Sequence, residues 1–180
     1  DAALQVQMIE DLLIDGIDAL AIAPNDPDSV SPALQKCQAD GVLVMDWDTT
    51  ANGDDVTYSI QQIDNKVLGE MLFDLLVEAM GTDEGEYAIV TGYLTAANLN
   101  TWIDFGKAYA AEKYPNLTLV TDPVPSDESA QEAYTQTMAL IAAYPNLKGI
   151  IGYSTPGPIG AAMAVQEKGL QDQIAVVGTS

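Results

Sequence analysis

The segment Tyr87-Ala88-Ile89-Val90-Thr91-Gly92 decides the fold. As a strand it has no polar residue at alternate positions, so neither of its faces is made for water. A loop to Asn98 and a helix over residues 99–113 follow it. Similar units extend in both directions. Upstream, the first helix places Leu4, Met8, Ile9, Leu12 and Leu13 on one stripe and stops at Gly16. Strands are expected at 19–23, 42–45 and 56–60, with helices over 29–39 and 64–80, the latter burying Val67, Leu68, Met71, Leu72, Leu75 and Leu76. Downstream, strands at 118–121, 149–152 and 174–178 alternate with helices over 128–144 and 158–168. Tyr114-Pro115-Asn116-Leu117 recurs as Tyr144-Pro145-Asn146-Leu147, each time between helix and strand. Strands buried on both faces and joined through helices imply a parallel sheet with helices on each side, an α/β chain of doubly wound type. The chain begins on a helix and ends just after a strand, so a strand-helix unit in front and further chain behind are expected to be missing.

Composition excludes several functions. The 180 residues hold 27 Asp plus Glu against 6 lysines, with no Arg and no His, for a formal net charge of -21. There is no imidazole base, no His metal ligand, no guanidinium clamp for phosphate and little to neutralise a nucleic-acid backbone. Asp46-x-Asp48-x-Thr50-x-Asn52-Gly53-Asp54 offers alternate oxygen ligands, but an EF-hand needs Gly at its sixth place and Glu at its twelfth, where Ala51 and Thr57 stand. Gly152-x-x-x-x-Gly157 lacks the Lys-Ser/Thr sequel of a phosphate loop, and Gly157-x-x-Gly160 reads as close helix packing. Ser154 and Ser180 have no His partner. No EF-hand, cofactor or catalytic set is therefore expected, a weak adventitious cation site at 46–54 being left open, and Cys37 reads as a small buried hydrophobe on a helix. The uncharged runs 87–103 and 149–166 are broken by Gly, Asn or Pro and do not read as membrane spans.

Ligands of open parallel sheets bind beyond the carboxyl ends of the strands. Asp46, Trp47 and Asp48 follow one apolar run, and the loop to Asn98 and Asn100 follows another. Tyr153, Ser154 and Thr155 follow a third, and Thr179 and Ser180 the last. Carboxylates, amides, hydroxyls and aromatic faces suit a neutral polyol. Each also has a plainer role open to it: Asp48 as a turn cap, Asn98 as a helix N-cap, Trp47 and Trp102 as core.

Several fragments in order resemble one family. They are Gln5 with Ile9-Glu10-x-Leu12-Leu13-x-x-Gly16-Ile17-Asp18-Ala19, Ala23-Pro24-x-Asp26, Gly41-Val42-x-Val44-x-x-Trp47-Asp48, Asp64-Asn65-x-x-x-Gly69 and Ala175-Val176-Val177-Gly178. Together they resemble the type I periplasmic solute-binding proteins of ABC sugar importers, in the ribose-binding-like group. Trp47-Asp48, Tyr58-Ser59-Ile60-Gln61 and Asn100-Thr101-Trp102 are most similar to its rhamnose and autoinducer-2 binding branch. The resemblance implies a two-lobed α/β fold, each lobe a mostly parallel sheet flanked by helices. Residues 1–61 would belong to the N-terminal lobe, without its first strand-helix unit, and 62–180 to the C-terminal lobe, without its last crossings. It also implies sugar binding by hinge closure, with Asp48 and Trp47 contributing from the first lobe and Asn98, Leu99, Asn100, Tyr153, Thr155 and Ser180 from the second. The implied partners are a monosaccharide and a membrane permease, with no nucleic acid; the protein would be a monomer, periplasmic or lipid-anchored outside the cytoplasm.

Departures from the pattern narrow the ligand. Autoinducer-2 binders carry Asp-Gln where Asn98-Leu99 stands, and Pro and Ala in place of Tyr153 and Thr155; ribose binders carry Asp in place of Ser180. The effector-binding core of a LacI-type regulator shares the fold and is the rival reading, disfavoured by the absence of Arg and the charge of -21. An α/β enzyme with a neutral polar pocket is a second rival.

Overall fold

A computed structural model describes residues 2–179. The chain divides into two compact units, one made of the residues up to Asp64 with Thr95–Asn98, the other of Asn65–Leu94 with the residues from Leu99 onward.

In the first unit, α1 (Ala2–Asp15), β1 (Ala19–Ile22), α2 (Pro27–Ala39), β2 (Leu43–Trp47) and β3 (Tyr58–Ile60) follow in order, with a short 3-10 turn at Gly53–Asp55. The three strands are parallel in the order β1-β2-β3, with Leu20 opposite Val44 and Met45 opposite Tyr58. Asp26 caps α2, its carboxylate accepting from the backbone N–H of Asp28 and Ser29. Ile9, Leu20, Ile22, Val30, Leu34, Cys37 and Val44 form one buried cluster.

Among the described residues the sheet of this unit is covered on one face. The strands are not buried on both faces: Leu20, Ile22, Val44 and Asp46 point inward, whereas Leu43, Trp47, Tyr58 and Ile60 on the opposite face are exposed. Both helices of the unit feed the same cluster, so among the described residues the other face is uncovered. Nor is the α1 stripe buried as a whole. Ile9 alone is buried in that helix, while Leu4, Met8 and Leu12 are exposed along a groove of about 440 Å³ shared with Ala21, Ala23 and Trp47 beside the edge strand β1. Gln5 ties the helix to the next loop, donating from Nε2 to the Ala23 carbonyl and accepting from the Asn25 N–H.

The second unit contains α3 (Asn65–Met80), β4 (Glu84–Thr91), α4 (Ala97–Lys113) from Leu99 onward, β5 (Asn116–Leu119), β6 (Val124–Pro125), α5 (Ala130–Ala143), β7 (Leu147–Gly152), α6 (Pro156–Glu167) and β8 (Ala175–Gly178). All pairings are parallel, in the order β5-β4-β7-β8, and β6 takes over from β5 farther along the same edge of β4. Here the doubly wound reading holds. Residues 87–91 of β4 are buried without interruption. Ala88, Val90 and Ile150 pack with Ala133 and Leu140 of α5 and Ala161 and Val165 of α6. On the other face Tyr87 meets Phe73 of α3 edge to face at 5.4 Å.

Boundaries shift where local chemistry overrides the apolar pattern. Leu68, Leu72, Phe73 and Leu76 form the buried side of α3, leaving Val67, Met71 and Leu75, one position round the helix, exposed. Helix α5 begins after Ser129, whose hydroxyl accepts from the Glu132 N–H, so Glu128 lies outside it. Pro156 takes the first helical position of α6, two residues before the expected start.

Gly160 marks the tightest helix approach. A Cβ there would overlap the Ala130 carbonyl oxygen and stand 2.6 Å from the Ala133 Cβ and 2.7 Å from the Tyr134 nitrogen. Gly160→Ala is therefore expected to push α6 off α5 and lower stability by about 1–3 kcal/mol. Urea unfolding checks this, the midpoint falling relative to the parent chain.

Candidate functional site

The strand ends of each unit are built differently. In the first unit, β2 continues through Asp46 and Trp47 instead of stopping at Met45. Asp46 is 0 % exposed, and its Oδ2 accepts from the Ala51 N–H at 2.7 Å, drawing the following loop back under the strand end. The other oxygen, Oδ1, has no hydrogen-bond partner. Asp48 then takes a left-handed backbone, φ 65°, a conformation Asp tolerates better than most residues. Its N–H donates to the Ile60 carbonyl, and its carboxylate accepts from Gln62 Nε2 at 2.6 Å. Trp47 is 51 % exposed and so is not a core residue.

In the second unit, β4 ends at Thr91, Gly92 follows it, and the 126–128 loop is bonded across that end. The Ser126 N–H donates to the carbonyls of Thr91 and Gly92, and the Asp127 N–H to that of Gly92. Asp127 and Glu128 are both left-handed, at φ 51° and 54°. The Glu128 carboxyl lies where a side chain on Gly92 would stand. Burial raises the carboxyl above the usual Glu range, an effect the neighbouring Ser154 hydroxyl partly offsets. Beyond β7, the Tyr153 N–H donates to the Val90 carbonyl, and Ser154, at φ 84°, donates its N–H to the Thr179 hydroxyl. The buried hydroxyls of Thr91, Ser126 and Tyr153 have no hydrogen-bond partner. Burial also raises the Tyr153 phenol far above its ordinary value, which keeps it a neutral donor.

The other residues marked by the sequence are distributed unevenly. Asn98 is half-buried in the first turn of α4, and Leu99, 5 % exposed, packs toward Gly92. Asn100 donates from Nδ2 to the Leu94 carbonyl at 2.8 Å. Trp102 is 8 % exposed and donates from its indole nitrogen to Asn65 Oδ1, a packing position. Tyr153 is completely buried, whereas Thr155 is exposed ahead of α6. Ser180 lies outside the described residues.

Sequence reasoning passed over Thr91, Ser126 and Glu128. One signal was present: Ser129-x-x-Glu132 has the form of a capping box, which starts the helix after Ser129 and frees Asp127 and Glu128 for the loop. The strand ends offer carboxylates, hydroxyls and amides, which exchange hydrogen bonds with a hydroxylated ligand. Among the described residues no group of three metal-ligating side chains converges, and no helix is long and apolar enough to cross a membrane.

The family described as periplasmic binding protein domain matches residues 1–180. The D-ribose/D-allose-binding protein of Pseudomonas aeruginosa is 23% identical over 99% of this chain and 56% of its own length. An ABC transporter solute-binding protein from Clostridium phytofermentas, solved with bound L-rhamnose, is 31% identical with a TM-score of 0.90, over 98% of this chain and 55% of that one. LsrB from Clostridium saccharobutylicum in complex with AI-2 is 25% identical with a TM-score of 0.89, over 100% of this chain and 58% of that one. The chain thus spans a little over half the length of the proteins it matches.

The Asp46 anchor can be tested apart from any ligand. Asp46→Ala removes the acceptor of a buried N–H and is expected to cost about 1.5–3 kcal/mol. Asp46→Asn, which retains a carbonyl acceptor, is expected to lose less. Chemical denaturation of the three proteins side by side measures the difference.

Proposed function

Since the chain belongs to the periplasmic binding protein family, we propose that it forms the larger part of the solute-binding component of an ABC transporter, acting outside the cytoplasm on a neutral monosaccharide or related polyol. The observation that carries this reading is Asp48. Its carboxylate stands at the carboxyl end of a parallel strand on a left-handed turn, held by Gln62 and by a loop that the buried Asp46 anchors. Hydroxyls and carboxyls at the strand ends of the second unit supply complementary partners. A ligand favours whichever arrangement of two units gives it more contacts, so a sugar bonded by both sets of strand ends would favour closure. The closed protein, a monomer in the periplasm or tethered by lipid outside the cytoplasm, would hand the sugar unchanged to a membrane permease. No cofactor takes part.

The sugar bound to the Clostridium phytofermentas relative supports placing 6-deoxyhexoses first among the ligands to be tried, ahead of pentoses, hexoses and autoinducer-2. In thermal-shift titrations of the intact gene product, one of these sugars is expected to stabilise the protein by about 2.7 kcal/mol at 100 times its dissociation constant. Fluorescence of the exposed Trp47 should change in parallel, and Asp48→Ala should abolish both responses. A folded protein unresponsive to every sugar, or one that converts the sugar it binds, would overturn the reading.

A further inference from the structure

We infer that Glu128 is the ligand-recognising carboxylate of the second unit, accepting hydrogen bonds from the hydroxyls of a neutral sugar and excluding acidic sugars; the inference rests on the sugar-binding reading above. Four observations converge on it. The first is position. Glu128 lies over Gly92 at the end of β4 and beside Ser154 at the end of β7, and these strands are paired neighbours in the middle of the sheet. The second is the glycine itself. Gly92 has no left-handed backbone that would demand a glycine, and the nearest obstacle to a side chain there is the Glu128 carboxyl, followed by Leu99 Cδ1 at 3.0 Å. The sequence leaves position 92 empty, and the carboxyl fills it.

The third is strain. Asp127 and Glu128 are consecutive left-handed residues, a conformation that costs each about 1–3 kcal/mol and that clusters at ligand sites. The fourth is unmet polarity. Partial burial raises the carboxyl, and no cation stands among the causes of its shift. Thr91 and Ser126, buried at the same strand ends, have hydroxyls without partners. Glu128 is exposed as a residue and its carboxylate only partly desolvated; the buried, unpaired hydroxyls beside it cost free energy that an incoming polyol can offset by bonding them. The Glu128 carboxylate itself repels an anionic sugar.

The experiment is titration of the intact gene product and of Glu128→Gln with the neutral sugar found by the panel and with its uronic acid, by calorimetry. Loss of one charge-assisted bond should weaken the neutral sugar about tenfold or more. The preference for neutral sugar over uronic acid should shrink, while the unfolding midpoint of the unliganded protein stays in place. Gly92→Ala, which evicts the carboxyl without altering it, should reproduce the loss of affinity. Unchanged affinity and selectivity in Glu128→Gln, with the parent protein binding normally, would overturn this inference alone. A parent protein that binds no sugar would overturn it together with the functional reading.

Discussion

Parallel pairing of β4 with β7 is the constraint on which the second unit depends. Parallel neighbours cannot be joined by a hairpin, so each strand is followed by a crossover and all strands deliver their carboxyl ends on one side. In register, Tyr87 faces Gly149 and Val90 faces Gly152. The ladder does not stop where the strands do. Tyr153 donates to Val90 and Ser126 to Thr91, so the two loops leave the sheet at heights fixed by backbone bonds. Side chains at 126–128 and 153–155 inherit that precision. The apolar layers of α5 and α6 below and the Phe73–Tyr87 contact above hold the central strand dry and keep the ladder intact.

The four non-glycine residues with positive φ among the described ones are Asp48, Asp127, Glu128 and Ser154, and all follow the carboxyl ends of strands or the loop bonded across one. The helices and the opposite ends of the sheets contain none. Strain, orphaned hydroxyls and a carboxyl raised by burial therefore coincide in the places where a sheet of this type binds small molecules. In the first unit the buried Asp46 supports its strained neighbour from beneath. In the second the loop is held mainly by its own N–H groups. The carboxylates reach the same kind of location by two unrelated local solutions.

Much of this was written in the sequence, but unevenly. The unbroken run at 87–91 reported burial on both faces because Ala88 and Val90 meet one helical layer and Tyr87 the other. Gly157-x-x-Gly160 reported close packing because a side chain at Gly160 has nowhere to go, and Cys37 is buried as its apolar surroundings required. Asp46 and Trp47 were read as lying beyond β2 because an acid and a large aromatic resemble loop residues, yet backbone pairing to Ser59 and Ile60 keeps both in the strand. Trp102 and Trp47 have the same side chain and opposite fates: Trp102 is buried with its indole bonded to Asn65, whereas Trp47 stands on the sheet face that the described residues leave uncovered. The apolar stripe of α1 was legible as a stripe, but what lies against it is a tertiary matter. Glu128 was hidden by its own helix propensity, which extends a helical reading backward past the true cap at Ser129.

The fit of Glu128 over Gly92 also has an evolutionary reading. A side chain at position 92 would displace the carboxyl of a long residue at position 128 from its place over the strand end, since the two would occupy the same space. Among relatives of this chain, glycine at the first position should accompany a long side chain at the second, and alanine or larger should accompany a residue too short to reach. The two positions lie 36 apart in the sequence and should change together as ligand preference drifts, through shared volume and not through any hydrogen bond between them.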